Sequence, residues 1–322
     1  MAMERAGVRI VRKPWGRSDL RPWSEVQVYG DPIGELWFRR DGITRPDPAL
    51  LLKLLFTSEP LSIQVHPDDA YARSVGLANG KTEAWYILSA TPDAKIAVGL
   101  NCILDAAQLR AAIMDQSIAD LVQWRSVNEG DVIFIPAGTI HAIGAGLVVV
   151  EIQQRSDATF RIYDHGRQRE LHIDAAVATA NANPAPLQSP PSRLTDARTL
   201  LTADTHFVLE RIDLPPGSDW KIIAERETWL FTLSGHARIG ALNLFKGDAV
   251  FFDVDFASIK VGVDGLHALL AYAGPDPAMN LLHSGDGHVL GSSMEPPPYL
   301  PVYPQSTMGT AIRQTGARAW RQ

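Results

Sequence analysis

Apolar and polar positions alternate along much of the chain with the two-residue period of a strand. Segments 61–65, 84–89, 132–135, 147–152 and 159–163 are short, rich in Val, Ile, Phe and Tyr, and bounded by Gly, Pro, Asn or Asp, which predicts strands of a mainly β core. In "LSIQVHPDD" the alternation puts Gln64 and His66 on one face and Ile63 and Val65 on the other. One interval departs from this rhythm. "LDAAQLRAAIMDQSIADLVQW", 104–124, carries Leu109 and Ile113, then Ile118, Leu121 and Val122, at helical spacing, with Asp105 and Gln108 placed as a capping box. It predicts a helical insertion in a β domain. "DDAYARSVG", 68–76, predicts a second short helix that Asp68 or Asp69 would cap and Gly76 would end. Capping accounts for the two acids after Pro67 better than catalysis does.

The prolines of "NANPAPLQSPPSRL" resist both helix and interior strand and mark 181–194 as a linker. A first domain over 1–180 and a second over 195–275 follow, then an extension over 276–322 that includes the proline-rich "MEPPPYLPVYPQ". A faint repeat joins the domains. "GDVIFIPAGTIHAI" from Gly130 matches "GDAVFFDVDFASI" from Gly247, with Ser258 at the position of His141, and "EAWYI" at Glu83 is similar to "ETWLF" at Glu227. The halves look like duplicated barrels. Nothing like "QVH" stands at the corresponding distance before Glu227, where Glu210 and Arg211 are found, so the second half is expected to be structural and metal-free.

Charge and composition narrow the function. The 322 residues are 46% hydrophobic with a formal charge of -6 and a pI near 5.8, which describes a folded protein without the basic surface that nucleic acid requires. No segment is apolar for long enough to cross a bilayer, and the first residues lack the apolar stretch of a secretory signal. With Cys102 the sole cysteine, no intramolecular disulfide can form, which fits a reducing cytoplasm. Nothing beside Cys102 would activate it as a nucleophile.

"GDVIFIPAGTIHAIG" fits G-x5-P-x-G-x2-H through Gly130, Pro136, Gly138 and His141: a strand, a Pro-Gly turn, and a second strand opening on an inward histidine. This spacing resembles the second motif of the cupin superfamily, small β barrels whose lumen holds a divalent metal. Gln64, His66 and Glu83 supply the remaining donors, and Lys81 shares the face of Glu83. Two imidazoles, a carboxylate and an amide oxygen suit Zn²⁺ or another first-row divalent ion. His165, His172, His206, His236, His267, His283 and His288 are read as hydrogen-bonded or surface residues. In "EIQQRSDATFRIYDHGR", Asp157, Thr159, Arg161, Tyr163, His165 and Arg167 share a parity. Two arginines on one face suit a phosphate, and an ion-pair rim with Asp157 and Asp164 is the competing reading.

"LLLKLLFTSEPLSIQVHPDD", "GKTEAWYIL", "GDVIFIPAGTIHAIG" and "EIQQRSDATFRIYDHGR", taken in order, resemble the short bacterial form of the type I phosphomannose isomerases, densely over 32–167 and thinly beyond. The resemblance implies two cupin barrels with a small helical insertion in the first. It also implies one zinc ion per chain and interconversion of mannose 6-phosphate and fructose 6-phosphate through a cis-enediol. By position it implies metal ligation by His66, Glu83 and His141 with Gln64 as a further ligand. Arg161, Lys81 and Asp157 fall at the sugar, and Ser62 and Arg167 at the phosphate. Thr82 departs from the proline of longer members. The competing functions are isomerisation of another phosphorylated or free sugar, a non-catalytic sugar-binding cupin, and a metal-dependent oxygenase. The expected partner is a small sugar phosphate, with neither nucleic acid nor membrane, in a cytoplasmic monomer or homodimer.

Overall fold

A computed structural model describes residues 3–40 and 46–285, so of the 276–322 extension the part from 286 onward, with His288, lies outside the described residues, while Leu282–Ser284 pairs with Asp219–Ile223. The strands form three sheets built of antiparallel pairs. A six-stranded sheet runs in the order Gly7–Arg17, Ile33–Arg39, Leu50–Phe56, Leu147–Gln154, Glu83–Ala90, Val132–Ile135. A five-stranded sheet runs Phe160–Tyr163, Ile63–Val65, His141–Ile143, Lys95–Leu100, Val122–Ser126. The third, ten-stranded, gathers the strands from Ser192–Thr195 onward together with Met3–Arg5, which pairs with Ala249–Phe252. The mainly β expectation holds, and all five predicted strands are present with small shifts of boundary.

The apolar run "LLLKLLF" is buried at every position of the Leu50–Phe56 strand because the six-stranded sheet is the middle layer. Leu52, Leu54 and Phe56 share a core with Leu209, Trp229, Phe231 and Leu269 of the ten-stranded sheet. Leu55 faces the opposite way, into a core with Trp85, Ile96, Val98 and Ile143 that joins it to the five-stranded sheet. Each such leucine removed from water contributes roughly 1.5–3 kcal/mol, so both faces of the layer are strongly specified. The five-stranded sheet is backed in turn by helices: Ile63, Val65, Ala142 and Ile162 pack with Leu109, Ile113, Ile118 and Ala176. Ile63 and Val65 thereby anchor their strand from behind and leave Gln64 facing inward.

The capping box forms as expected: the Gln108 amide N–H donates to Asp105 Oδ1 at 2.8 Å, and the Asp105 N–H donates to Gln108 Oε1 at 2.9 Å. Asp105→Ala is expected to lower stability by about 1 kcal/mol, read as a shift of the urea midpoint at unchanged slope. The 104–124 segment is not one helix, however. Ala106–Met114 ends before Gln116, whose φ of 67° breaks the helix, Ile118–Leu121 makes one further turn, and Val122 opens a strand. Asp68 caps Asp69–Ser74 by accepting from the Tyr71 N–H at 2.7 Å, and Gly76 (φ 83°) follows its end. Asp69 instead accepts from the Gly80 N–H and the Gln154 side chain. A helix at Ile173–Thr179, which packs near Ala106–Met114, was not foreseen.

The repeat is corrected in register. Aligned on Gly-Asp, Ile135 corresponds to Phe252; Glu83 lies opposite Ile135, but it is Thr228 that lies opposite Phe252. The likeness between "EAWYI" and "ETWLF" is therefore one residue out, and in a strand a one-residue slip exchanges the two faces. Trp85 points into the core beside His141, whereas Trp229 packs against the six-stranded sheet and donates to the Leu50 carbonyl at 3.2 Å. Glu227, one residue outside this pairing, accepts from the Ala49 N–H, and Ser258, at the aligned position of His141, is exposed.

Candidate functional site

Between the six- and five-stranded sheets, Glu83 projects from the former and His141 from the latter, with His66 directly after the Ile63–Val65 strand. His141 pairs with Gln64 in register, and Arg161 pairs with Gln64 from the other side. Both imidazoles are oriented from behind. His66 Nδ1 donates to the Ala158 carbonyl at 2.8 Å and His141 Nδ1 to the Thr139 carbonyl at 2.9 Å, which leaves each Nε2 as a lone pair aimed at Glu83. The separations are 3.5 Å from His66 Nε2 to Glu83 Oε2 and 3.5 Å from His141 Nε2 to Glu83 Oε1.

The electrostatics favour a cation at this point. Burial, followed by the Lys81 charge, pushes His66 well below its usual range, and burial brings His141 down to about 4; both rings are neutral, the form that ligates a metal. Burial and the nearby Glu151 carboxylate push Glu83 up. His66 Nε2 and both Glu83 oxygens are buried without a hydrogen-bond partner, a costly arrangement. Among the described residues these three are the group whose ligand atoms lie within 4.8 Å of one another. Two neutral imidazoles and a carboxylate fit a borderline-soft divalent ion, so the residues fit a metal. Gln64 supports them: its amide lies 3.3 Å from His141 Nε2, and its Oε1 accepts from Ser62 Oγ at 3.3 Å. A flip of the amide would present the oxygen instead.

Lys81 Nζ stands 3.3 Å from Glu83 Oε2. Burial pulls its pKa down, but the carboxylates of Glu83, Glu151 and Asp157 outweigh it and hold the ammonium above its usual range. Asp157 itself is exposed. Arg161 donates through Nη1 to the Glu170 carbonyl at 2.7 Å while its Nε is buried and unpartnered, and burial lowers its pKa. Arg167 takes the rim arrangement weighed above: Nε meets Asp164 Oδ1 at 3.1 Å, Nη1 meets Glu59 at 3.3 Å and Nη2 donates to the Pro60 carbonyl at 2.7 Å. Asp157 has no part in that rim; Arg169 shares Asp164.

Three further groups escaped sequence reasoning. Lys53 Nζ lies 3.1 Å from Glu151 Oε1, and Trp85 Nε1 donates to Glu151 Oε2 at 3.2 Å. Lys53 and Lys81 hold Glu151 below the usual carboxylate range against burial. Gln153, opposite Glu83 in register, carries a buried unpartnered Oε1. The available signal was a single charge within an apolar run, in "LLLKLLF" and "LVVVEI". Among the histidines read as bland, His165, His172 and His283 are tied to the backbone of Leu61, Arg161 and Asn280, and His206, His236 and His267 lie beside Asp204, Asp264 and Asp213. No described helix is long and apolar enough to cross a membrane.

No protein-family model matches the chain. A mannose-6-phosphate isomerase of Streptococcus mutans is 40% identical over 216 residues, which span 54% of this chain and 68% of that protein. A probable mannose-6-phosphate isomerase of Bacillus subtilis is 35% identical over 170 residues, half the length of each chain. In structure, the chain is similar to the crystal structure of the Bacillus subtilis mannose 6-phosphate isomerase, with a TM-score of 0.71 and 24% identity over 84% of this chain and 99% of that one. That last likeness establishes the fold, which the sequence had suggested through its cupin motif. The identity to the Streptococcus relative, over more than two thirds of that protein's length, goes further: this chain belongs to the mannose-6-phosphate isomerase family.

Proposed function

We propose that this protein is a zinc-dependent mannose-6-phosphate isomerase that interconverts mannose 6-phosphate and fructose 6-phosphate through a cis-enediol. The observation that carries the reading is the His66–Glu83–His141 group with its unpartnered buried ligand atoms, in a chain of this family. A zinc ion held by these residues, with Gln64 as a fourth donor, would act as a Lewis acid toward the sugar oxygens. The other roles belong to side chains of this chain. Moving a proton between C1 and C2 builds negative charge on O1 and O2, and fixed cations in a water-poor site stabilise that charge most effectively. Lys81 is buried and stays charged through its carboxylate neighbours, and Arg161 has an unpartnered Nε; both are assigned to the enediolate. Asp157, exposed yet close enough to act on Lys81, is the candidate base. Ser62 is assigned to the phosphate, with Arg167 adding charge from the rim while it bridges Asp164 and Glu59.

The test is a coupled assay of metal-loaded protein with mannose 6-phosphate, glucose 6-phosphate and free mannose. Mannose 6-phosphate should be turned over in strong preference to the others. Turnover of another sugar in its place would reassign the substrate, and binding without turnover would make the protein a sugar-binding cupin. Lys81→Met should lower kcat by about 10²–10³-fold, as loss of one charge-stabilising donor does elsewhere, while metal content stays at one ion per chain.

A further inference from the structure

A second polar concavity shares no residue with the His–Glu–His group. It is a shallow, solvent-open depression lined by Pro14, Gly16, Arg17, Ser18, Asp19, Arg21, Pro32 and Ser58. Its base is rigid. Gly16 packs so tightly on the Ile33 backbone that a Cβ would come within 2.3 Å of it, prolines 14 and 32 restrict the flanking backbone, and the Ser58 hydroxyl is turned away to the Gly16 carbonyl at 2.6 Å.

The charges in this lining do not cancel. Arg21 donates two hydrogen bonds to Asp19, at 2.9 and 2.7 Å, so each neutralises the other. Arg17 is half-buried, and its one hydrogen bond runs from Nε to the neutral Thr57 carbonyl at 3.2 Å. Among the described residues neither its two terminal nitrogens nor the Ser18 hydroxyl has a hydrogen-bond partner. Burial without a counter-ion also pulls the Arg17 pKa down. The two terminal nitrogens of Arg17 reach solvent beside an exposed Ser18, and they form the planar fork that matches a phosphate. Ser18 adds a third donor beside the fork. We propose that this depression binds a phosphate-bearing small molecule, anchored by Arg17 with Ser18 beside it, at a site separate from the one that performs the isomerisation.

The experiment uses the metal-loaded full chain. In equilibrium dialysis against radiolabelled inorganic phosphate, wild type should retain one equivalent per chain more than Arg17→Met, with kcat/KM for mannose 6-phosphate within about twofold of wild type, since the Arg17 hydrogen bond goes to Thr57 and to no residue assigned to the isomerisation. Equal stoichiometry in the two proteins overturns the proposal. The difference is read whether or not the protein isomerises the sugar, so the two readings fail separately. A measurement on wild type alone guards against a misfolded variant: modification of Arg17 by phenylglyoxal, followed by mass spectrometry, should slow at least about fivefold near saturation with inorganic phosphate or glucose 6-phosphate. Sodium chloride of equal ionic strength should not slow it. Protection at lower concentration by the ester identifies a sugar-phosphate class, and equal protection identifies free phosphate. Absence of protection by both overturns the site.

Discussion

His141→Ala is expected to abolish tight zinc binding and to lower kcat/KM for mannose 6-phosphate by at least about a thousandfold, the scale of losing several kcal/mol of charge stabilisation. The ring is fully buried and fixed by the Thr139 carbonyl at 2.9 Å, with Nε2 3.5 Å from Glu83 and 3.3 Å from the Gln64 amide. Its removal takes one of the three proposed ligands and leaves the Gln64 amide without its imidazole partner. A ligand that binds only the folded state at a hundred times its Kd adds about 2.7 kcal/mol of stability. Zinc should therefore raise the Tm of wild type, reversibly with chelation, and leave that of the variant unchanged. This readout needs no substrate and separates a lost site from a misfolded chain. Chelated wild type should be as inactive as the variant and recover with zinc. A variant that keeps both tight metal binding and turnover would remove His141 from the site.

The shared face of the candidate ligands was legible because strand parity is a strict rule. Gln64 and His66 had to share a face, and with Ile63 and Val65 committed to the helical layer behind that face could only be the inner one. The same rule explains a failure. Two Glu-x-Trp motifs look alike in sequence, yet a one-residue difference in pairing sends Trp85 inward and Trp229 outward, and register is a property of the partner strand as much as of the motif. Lys53 and Glu151 escaped because the alternation that would place them is masked: both sit in strands buried on two faces, where apolar residues fill alternate positions as well. Ile173–Thr179 escaped for a different reason. Its N-cap, His172, makes no side-chain capping bond, so the chemistry that marks a helix start was missing, whereas Asp105 and Gln108 announced theirs. The expected shared parity of Arg161 and Arg167 does not hold: the register shifts between Arg161 and Tyr163, where the strand ends, and the turn with positive φ at His165 and Gly166 carries Arg167 to the rim ion pairs while Arg161 remains beside Gln64.

Arg198→Met is expected to destabilise the protein by about 3–5 kcal/mol, the cost of leaving a buried charge without its partner. The interior of the ten-stranded sheet holds a fully buried Glu210 clasped by Arg198 through two hydrogen bonds of 2.8 Å each. Tyr272 donates its hydroxyl to the same carboxylate and accepts from the Ala278 N–H at 2.9 Å, and Arg198 also donates to the Ala278 carbonyl at 2.8 Å. Burial, then the Glu210 charge, pushes the Tyr272 pKa up, so the phenol stays a donor. In the first half the buried carboxylate of Glu83 meets Lys81 at 3.3 Å and still faces two neutral imidazoles, the arrangement proposed above to take a metal; in the second, Arg198 and Tyr272 saturate Glu210 between them. The prediction follows from that difference. Removing the guanidinium leaves the buried Glu210 charge with only the neutral Tyr272 hydroxyl, whereas removing both charges, in Arg198→Met with Glu210→Met, should restore most of the loss, because an apolar pair of similar volume often serves as well as a buried ion pair. Urea unfolding of the two single variants and the double variant measures the coupling directly, and zinc affinity at the distant His–Glu–His group should be the same in all of them. A loss below about 1 kcal/mol for Arg198→Met, the level of an exposed pair, would mean that water reaches Glu210 and that the second half is not closed around it.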